Sequence, residues 1–170
     1  MTSMGNTPGM NHRPAHALPL LLLAGFRNVI EELHEELADG GHPHARPLYG
    51  FALQAIGAGG CSIGELGRRL GVSKQAAAKT AATLERLGYV QRVSEPGDRR
   101  VSHLQITSRG TELLSLSAEI LAGIHAIWSD TLGADRLETL ENDLEAIAGG
   151  TALALRLDLA GWLQGTDKQD

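Results

Sequence analysis

The chain is 170 residues long, which suits one domain or one domain with helical extensions. Apolar residues make up 42% of it, enough for a sizeable core, whereas aromatic residues make up only 4%. Since Leu, Ala and Gly are abundant, we predict a mainly helical protein. The formal net charge is −5, so a basic surface can only be local. The single cysteine, Cys61, excludes an intrachain disulfide and suits a reducing compartment.

The N-terminal part combines a polar segment with one long helix. Residues 1–16 contain Gly and Pro and lack hydrophobic periodicity, so we predict a flexible tail. Residues 17–26 (ALPLLLLAGF) resemble a signal-peptide core, but they are too short to span a membrane and no convincing cleavage site follows. Apolar residues continue at helical spacing up to Asp39 and Gly40. We therefore expect a helix from about Pro19, no membrane span, a cytoplasmic location, and burial of the apolar start against a second subunit.

Residues 40–47 (GGHPHARP) have the composition of a loop. His42 and His44 are metal-ligating residue types, and His34 lies nearby in the sequence. No second tight group of ligands accompanies them, so we expect a surface loop with no metal and no cofactor. A metal-sensing role for these histidines is the alternative.

A helix that opens at Pro47 and ends at a Gly-rich stretch leads to Cys61. We expect this cysteine to be a small packed residue. Since a helix N-terminus follows it, a redox-sensing thiol is the alternative.

Two short helices joined by a tight turn come next. Ser62 and Glu65 have the spacing of a capping box, and Gly71 ends the first helix. Ser73 caps a second helix, which Gly88 stops. This arrangement is a helix-turn-helix, in which the second helix enters the DNA major groove.

The second helix has an apolar face and a slim polar face. Ala77, Ala81, Leu84 and Leu87 share one side and should pack on the core. The residues on or beside the opposite side are mostly small, so the helix is slim enough to enter a major groove about 12 Å wide. A Gln side chain can pair with adenine edges, and a Lys side chain can reach guanine or a phosphate. The predicted DNA contacts in this helix are Ser73, Lys74, Gln75, Ala76, Lys79, Thr80 and Thr83.

A hairpin with a charged tip follows the second helix. Apolar residues at 89–93 and 101–106 predict two strands around a turn that contains Pro96 and Gly97. Asp98, Arg99 and Arg100 complete the predicted DNA contacts, because a narrow minor groove attracts arginine and Asp98 could hold Arg100 extended.

Charge is unevenly distributed along the chain. Residues 65–109 hold nine Lys or Arg and four Asp or Glu, a net of about +5, so the remainder sums to about −10. A solvated charged face would explain this alone, but a basic centre in an acidic protein is also what a local DNA footprint produces.

The central segment resembles the winged helix-turn-helix of the MarR family of transcriptional regulators. The resemblance covers about residues 48–112 and includes Leu70-Gly71-Val72-Ser73, Leu84-Glu85-Arg86-Leu87-Gly88-Tyr89-Val90, and Asp98-Arg99-Arg100 before Ile106-Thr107. It implies a homodimer built from the first and last helices, and a pseudo-palindromic double-stranded operator. It also implies a repressor that responds to a small aromatic or phenolic effector. The polar or aromatic candidates for the effector are Arg27, His34, Tyr49, His103, His125 and Trp128.

Helical segments fill the rest of the chain. Thr107 or Ser108 caps a long helix that Gly133 breaks, Asp135 begins another, and residues 152–163 form a further apolar helix. We thus predict a mainly α fold with a small β-wing. The predicted division is a tail at 1–16, a helical dimerisation region at 17–40 and 108–163, a winged helix-turn-helix domain at 46–107, and a C-terminal tail at 164–170.

Two other classes of function are alternatives to DNA binding. A winged-helix module that only dimerises or binds proteins would not need the cations of the second helix and the hairpin. An enzyme would need a phosphate-binding loop, a nucleophile elbow, paired carboxylates or a metal-binding helix, and none of these patterns occurs in the sequence. We predict that the chain is not an enzyme.

Overall fold

A computed structural model describes residues 13–95 and 98–147, and between 94 and 102 it describes the backbone alone. Residues 1–12 of the predicted N-terminal tail, the helix predicted at 152–163 and the tail predicted at 164–170 lie outside the described residues. The described elements are α1 Ala17–Asp39, α2 Pro47–Ile56, α3 Ile63–Leu70, α4 Lys74–Arg86, β1 Val90–Glu95, β2 Asp98–Ile106, α5 Ser108–Leu132 and α6 Ala134–Ile147. The prediction of a mainly α fold with a small β-wing is confirmed.

The helix-turn-helix forms from the local signals that predicted it. The Ser62 hydroxyl accepts a hydrogen bond from the Glu65 amide, and the Glu65 carboxylate accepts one from the Ser62 amide at 2.8 Å. Gly71 ends α3 in the left-handed conformation at φ 66°. The Ser73 hydroxyl then caps α4 by accepting from the Ala76 amide at 3.1 Å. Both caps satisfy amides that a helix start leaves without a partner.

The wing is a two-stranded antiparallel sheet. β1 pairs with β2 from Val90 opposite Ile106 to Ser94 opposite Ser102, with an irregularity at its tip. Cys61 adds a single bridge, since its amide donates to Leu104 at 3.1 Å and its carbonyl accepts from Leu104 at 2.8 Å. The wing is thereby attached to the segment that precedes α3.

One continuous core joins the winged domain to the two long helices. Large side chains with at most 1% exposure come from several elements and meet in this core: Leu53, Leu66, Leu70, Leu84, Leu104 and Leu113. α1 and α5 pack against each other and against the same cluster. The winged domain therefore sits on α1 and α5, and any shift of these helices is transmitted to it by close packing.

The N-terminal half of α1 is left uncovered in the single chain. Leu18, Leu20, Leu21, Leu22 and Leu23 are all between 43% and 61% exposed. Ile127 and Trp128 on α5 are also exposed. None of the described helices combines the length and apolar character that a membrane crossing needs.

One prediction for the loop after α1 is wrong. His44 is exposed as expected, but His42 is only 1% exposed. Its ring lies under Tyr89, and its Nδ1 is 3.1 Å from the tyrosine hydroxyl oxygen. A partner from a distant segment buries this histidine, so the local composition of the loop gave no sign of it.

Candidate nucleic-acid interface

Helix α4 presents a polar surface at its N-terminal end. Ser73, Lys74, Gln75 and Lys79 are exposed, whereas Ala77 on the other side is buried. α4 is held from behind because Ala77, Ala81 and Leu84 are packed in the core with no measurable exposure. The predicted division of this helix into a core face and an outward face is thus correct for most positions.

The start of α4 keeps its positive electrostatic character. Its first turn contains no acidic residue, so no carboxylate of that turn offsets the positive end of the helix dipole. Lys74 lies in this turn and is exposed. The Ser73 hydroxyl accepts from the Ala76 amide, so its oxygen is partly engaged within the cap, while its proton is still free to bond outward. This end of the helix suits an anion such as a phosphate.

The two threonines of α4 that were predicted to contact DNA differ in how deeply they are buried. Thr83 is half-buried, and its hydroxyl donates to the Lys79 carbonyl oxygen at 3.1 Å. Thr80 was predicted to lie on or beside the outward face, but it is buried, with 6% exposure. It follows Ala77 by three residues and precedes Leu84 by four, which places it on the flank of the core face next to α2. Thr80 therefore supports α4 rather than facing outward.

The wing tip follows as the second part of the predicted contact surface. Asp98, Arg99 and Arg100 lie at the start of β2, where the backbone is described, and their side chains lie outside the description. Arg92 links the wing to the end of α4, because its guanidinium donates to the Glu85 carboxylate at 3.0 Å. This pair is solvent-exposed, so it contributes little to the stability of the fold.

Several of the nine central cations make contacts within the protein. Arg69 donates to the carbonyl oxygens at the end of α2, at 2.7 and 3.3 Å. Arg92 pairs with Glu85, and Arg109 donates to the Gly41 carbonyl oxygen at 2.7 Å. The charge count of the segment therefore overstates the charge available to a ligand. Among the described residues, Lys74 and Lys79 make no hydrogen bond or ion pair, so both ammonium groups are available at the exposed end of α4.

A cavity of about 210 Å³ lies between the winged domain and the long helices. It has mostly apolar walls, to which α1, α2 and α5 all contribute, and both phenylalanines of the chain, Phe26 and Phe51, line it. The polar groups at its walls are His34, Arg46, Gln54 and Ser117.

His34 is the one predicted effector candidate that the structure places in this cavity. Its Nε2 is buried and has no hydrogen-bond partner among the described residues. Burial lowers the pKa of His34, and the nearby Arg46 lowers it further, so the ring is neutral at pH 7. Arg27 pairs with Glu31 instead, and Tyr49 lines a hollow beside α4. Sequence reasoning missed Phe26 and Phe51, which are far apart in the chain and carry no shared pattern.

Cys61 is packed, as expected. It is 1% exposed, and burial raises the pKa of its thiol, with Arg69 opposing this shift and Glu65 adding to it. A thiol with a raised pKa is a poor redox sensor, because the thiolate is the reactive form. Among the residues that the structure describes, no three His, Cys, Asp or Glu side chains converge to hold a metal ion.

Comparison with known proteins finds similarity in the central part of the chain. Residues 47–101 match the model of the MarR family. The chain is 36% identical over 86 residues to the transcriptional repressor MprA of Escherichia coli K12, and this match covers 47% of each chain. The chain thus spans about half the length of that curated relative. The matched relative is a transcriptional repressor, which agrees with the prediction that the chain is not an enzyme.

Two solved structures share the fold. One is Streptococcus pneumoniae FabT in complex with DNA, at 20% identity and a TM-score of 0.66, covering 79% of this chain and 95% of FabT. The other is CouR from Rhodococcus jostii RHA1 bound to p-coumaroyl-CoA, at 20% identity and a TM-score of 0.56, covering 79% of this chain and 93% of CouR. At this level of identity the two structures establish the fold.

Proposed function

We propose that the chain is a dimeric, sequence-specific DNA-binding repressor, because residues 47–101 match the MarR family model and lie within a helix-turn-helix followed by a two-stranded wing. The observation that carries this proposal is the exposed N-terminal surface of α4, which bears Lys74, Gln75 and Lys79 and lacks a neutralising carboxylate in its first turn. The proposed DNA contacts are Ser73, Lys74, Gln75, Ala76, Lys79 and Thr83 on α4 and Asp98, Arg99 and Arg100 on the wing.

The contacts have separate roles in this proposal. Gln75 lies one residue beyond the helix start, where side chains of a recognition helix reach base edges, and its amide can pair with adenine. Lys74, Lys79 and the helix N-terminus bind phosphates and set the register of the helix in the groove. The two wing arginines enter the adjacent minor groove. Thr80 is left out of the set because it is buried.

Dimerisation is proposed from the uncovered start of α1. The five leucines exposed there are a large apolar surface for a chain of this size, and α1 lies against α5. We propose that residues 17–40 and 108–163 form the dimerisation region and that residues 46–107 bind DNA. Two copies related by a two-fold axis would bind half-sites ~34–36 Å apart, so the second docking step becomes intramolecular.

Regulation by a small molecule is proposed from the cavity between α1, α2 and α5. A ligand there would touch the long helices and the winged domain at once, so it would favour one spacing of the two α4 helices over another. The apolar walls suit an aromatic ring, and the neutral, unpartnered Nε2 of His34 suits a phenolic hydroxyl. The guanidinium of Arg46 at the wall can donate hydrogen bonds to a carboxylate.

The first experiment measures fluorescence anisotropy of duplex DNA from the region upstream of the protein's own coding sequence, titrated with protein at several salt concentrations. We expect binding well above that of random DNA of equal length, with the logarithm of the binding constant falling linearly against the logarithm of salt. Equal binding to both duplexes would count against specificity at that site, and a flat salt response would contradict DNA binding altogether. A winged-helix module that only binds proteins would give that flat response.

The effector proposal is tested on the same complex. Addition of 4-hydroxybenzoate is expected to release DNA at lower concentrations than benzoate, because only the former carries the phenolic hydroxyl. His34→Leu should remove the difference between the two compounds. Equal potency of the two compounds in the unaltered protein would contradict the assigned role of His34.

A further inference from the structure

Three parts of the chain meet at a junction in which the buried His42 and Tyr89 contact the exposed Arg109 and Glu112. His42 belongs to the turn between α1 and α2, Tyr89 to the turn between α4 and β1, and the other two to the start of α5. The His42 Nδ1 lies 3.1 Å from the Tyr89 hydroxyl oxygen. The Arg109 guanidinium lies over the Tyr89 ring at 5.5 Å from its centroid. The junction therefore ties the recognition helix and the wing to both long helices.

The imidazole of His42 lies between the Tyr89 hydroxyl and the Glu112 carboxylate. His42 and Tyr89 are each 1% exposed. The other ring nitrogen, Nε2, has no hydrogen-bond partner among the described residues and lies 3.8 Å from the Glu112 carboxylate. In the neutral ring, the favoured tautomer has the Tyr89 hydroxyl donating to Nδ1 and the Nε2 proton directed at Glu112, because a donor faces a carboxylate more favourably than an acceptor does.

A second proton on His42 changes this arrangement. The Nδ1 would become a donor, so the Tyr89 hydroxyl would have to turn its own proton away. A positive charge would also appear in a buried site beside Arg109, and the nearest compensating charge, Glu112, is exposed to solvent. The turn that carries His42 is held by the hydrogen bond from Arg109 to the Gly41 carbonyl oxygen at 2.7 Å, so a charge on the ring acts beside the cation that anchors the turn.

We propose that His42 makes this junction a proton-responsive switch, in which protonation of the ring releases the α1–α2 turn from Tyr89 and lowers the DNA affinity of the winged domain. The switch rests on the proposed DNA-binding function. Tyr89 follows α4 directly and its carbonyl oxygen accepts from Thr107 at the start of α5, so a displaced Tyr89 disturbs the attachment of the recognition helix to the dimerisation region.

The electrostatics set the direction of the response. Burial lowers the pKa of His42 below 6.5, and Arg109 lowers it further, whereas Glu112 raises it. Burial raises the pKa of Tyr89, Arg109 lowers it, and Tyr49 and Glu112 raise it by smaller amounts. Tyr89 therefore stays neutral throughout, and His42 is the group that titrates. Its contribution to stability is fully present above its unfolded pKa and is lost as the pH falls through the lower folded value.

The test compares the unaltered protein with His42→Gln and His44→Gln in DNA anisotropy from about pH 8 to about pH 5, with duplex DNA from upstream of the protein's own coding sequence. Gln carries no charge at any pH and can still bond to Tyr89, whereas His44 is an exposed neighbour in the same turn. We expect the affinity of the unaltered protein and of His44→Gln to fall on acidification by about fivefold or more relative to His42→Gln. Parallel profiles for all three proteins would overturn the switch.

Two further measurements distinguish a failure of the proposed switch from a failure of the proposed DNA binding. Thermal unfolding as a function of pH needs no DNA, and it should show an acid-dependent loss in the unaltered protein that is smaller in His42→Gln. If the unaltered protein and His42→Gln lost stability equally on acidification, the role of the junction would be overturned. If the expected difference in unfolding appeared but the protein bound no DNA at any pH, the proposed DNA-binding function would be overturned instead. Glu112→Gln retains His42 and should move the midpoint of ring protonation, measured by NMR, to lower pH. An unmoved midpoint would contradict the assigned pairing.

Discussion

The amide of Thr107 donates a 3.0 Å hydrogen bond to the carbonyl oxygen of Tyr89. The Thr107 hydroxyl also donates to Gly88 at 2.6 Å, and it accepts from the Gly110 amide as the cap of α5. One threonine thus closes the base of the wing and starts the long helix. The end of the recognition helix and the start of the dimerisation region are therefore joined by hydrogen bonds as well as by packing.

Gly110 permits this close approach. A Cβ at position 110 would overlap the Tyr89 carbonyl oxygen and press on Ile106. Gly110→Ala should therefore destabilise the fold by about 1–3 kcal/mol, as overpacking does, although alanine favours a helix. Gly64→Ala in α3 is the matched control, since nothing lies near its added methyl group, and it should be neutral or stabilising. Thermal unfolding of both variants measures this, and equal midpoints would contradict the close contact.

The capping box of α3 gives a second prediction. Ser62→Ala removes the hydroxyl that accepts from the Glu65 amide and should cost about 1 kcal/mol of stability. The hydrogen bonds from Ser62 lower the pKa of Glu65, so the stabilisation they give is present above the unfolded pKa and lost as pH falls through the lower folded value. Denaturant titrations at several acidic pH values should show a weaker acid dependence in Ser62→Ala. An identical dependence would exclude the Ser62 hydroxyl as one of its sources, since the Ser62 amide still donates to Glu65 in the variant.

Lys79 is expected to bind a DNA phosphate. Lys79→Ala should reduce the slope of log affinity against log salt by about one unit, with a similar loss on every DNA sequence. Arg136→Ala removes an exposed cation from α6 and serves as the control for net charge. If both variants gave the same slope as the unaltered protein, Lys79 would make no phosphate contact.

Arg100 is expected to enter the minor groove from the wing. Arg100→Ala should weaken binding to the preferred DNA by ~1–3 kcal/mol while the protein stays a dimer. Anisotropy gives the affinity, and light scattering gives the mass in the same buffer. Unchanged affinity in a normal dimer would remove the wing from the mechanism.

The exposed start of α1 is expected to be buried in the dimer. Leu21 is 49% exposed in the single chain, and Leu21→Glu would place a carboxylate in the proposed interface. Because burying a leucine contributes about 1.5–3 kcal/mol, the substitution in both copies should shift the protein toward a monomer with weaker DNA binding. Gln91→Glu adds the same charge on an exposed strand and should leave the mass unchanged. A dimer of unaltered stability in Leu21→Glu would place the interface elsewhere.

The sequence by itself determined the elements and the outward face of α4. Ser62, Gly71 and Ser73 act on amides and dihedral angles within a few residues of themselves, so their roles can be inferred from spacing. The periodic alanines likewise identified which side of α4 is buried, and only Thr80, on the boundary of that side, was misplaced. The wing followed from turn chemistry, which is also local.

The tertiary structure decided what the local pattern could not. His42 is buried by a tyrosine 47 positions away, Cys61 pairs with Leu104, and Phe26 and Phe51 meet in one cavity. A loop histidine carries the same local signals whether its partner is water or a distant hydroxyl. Its environment is set by contacts between elements, and these depend on how the whole core packs rather than on neighbours in the chain.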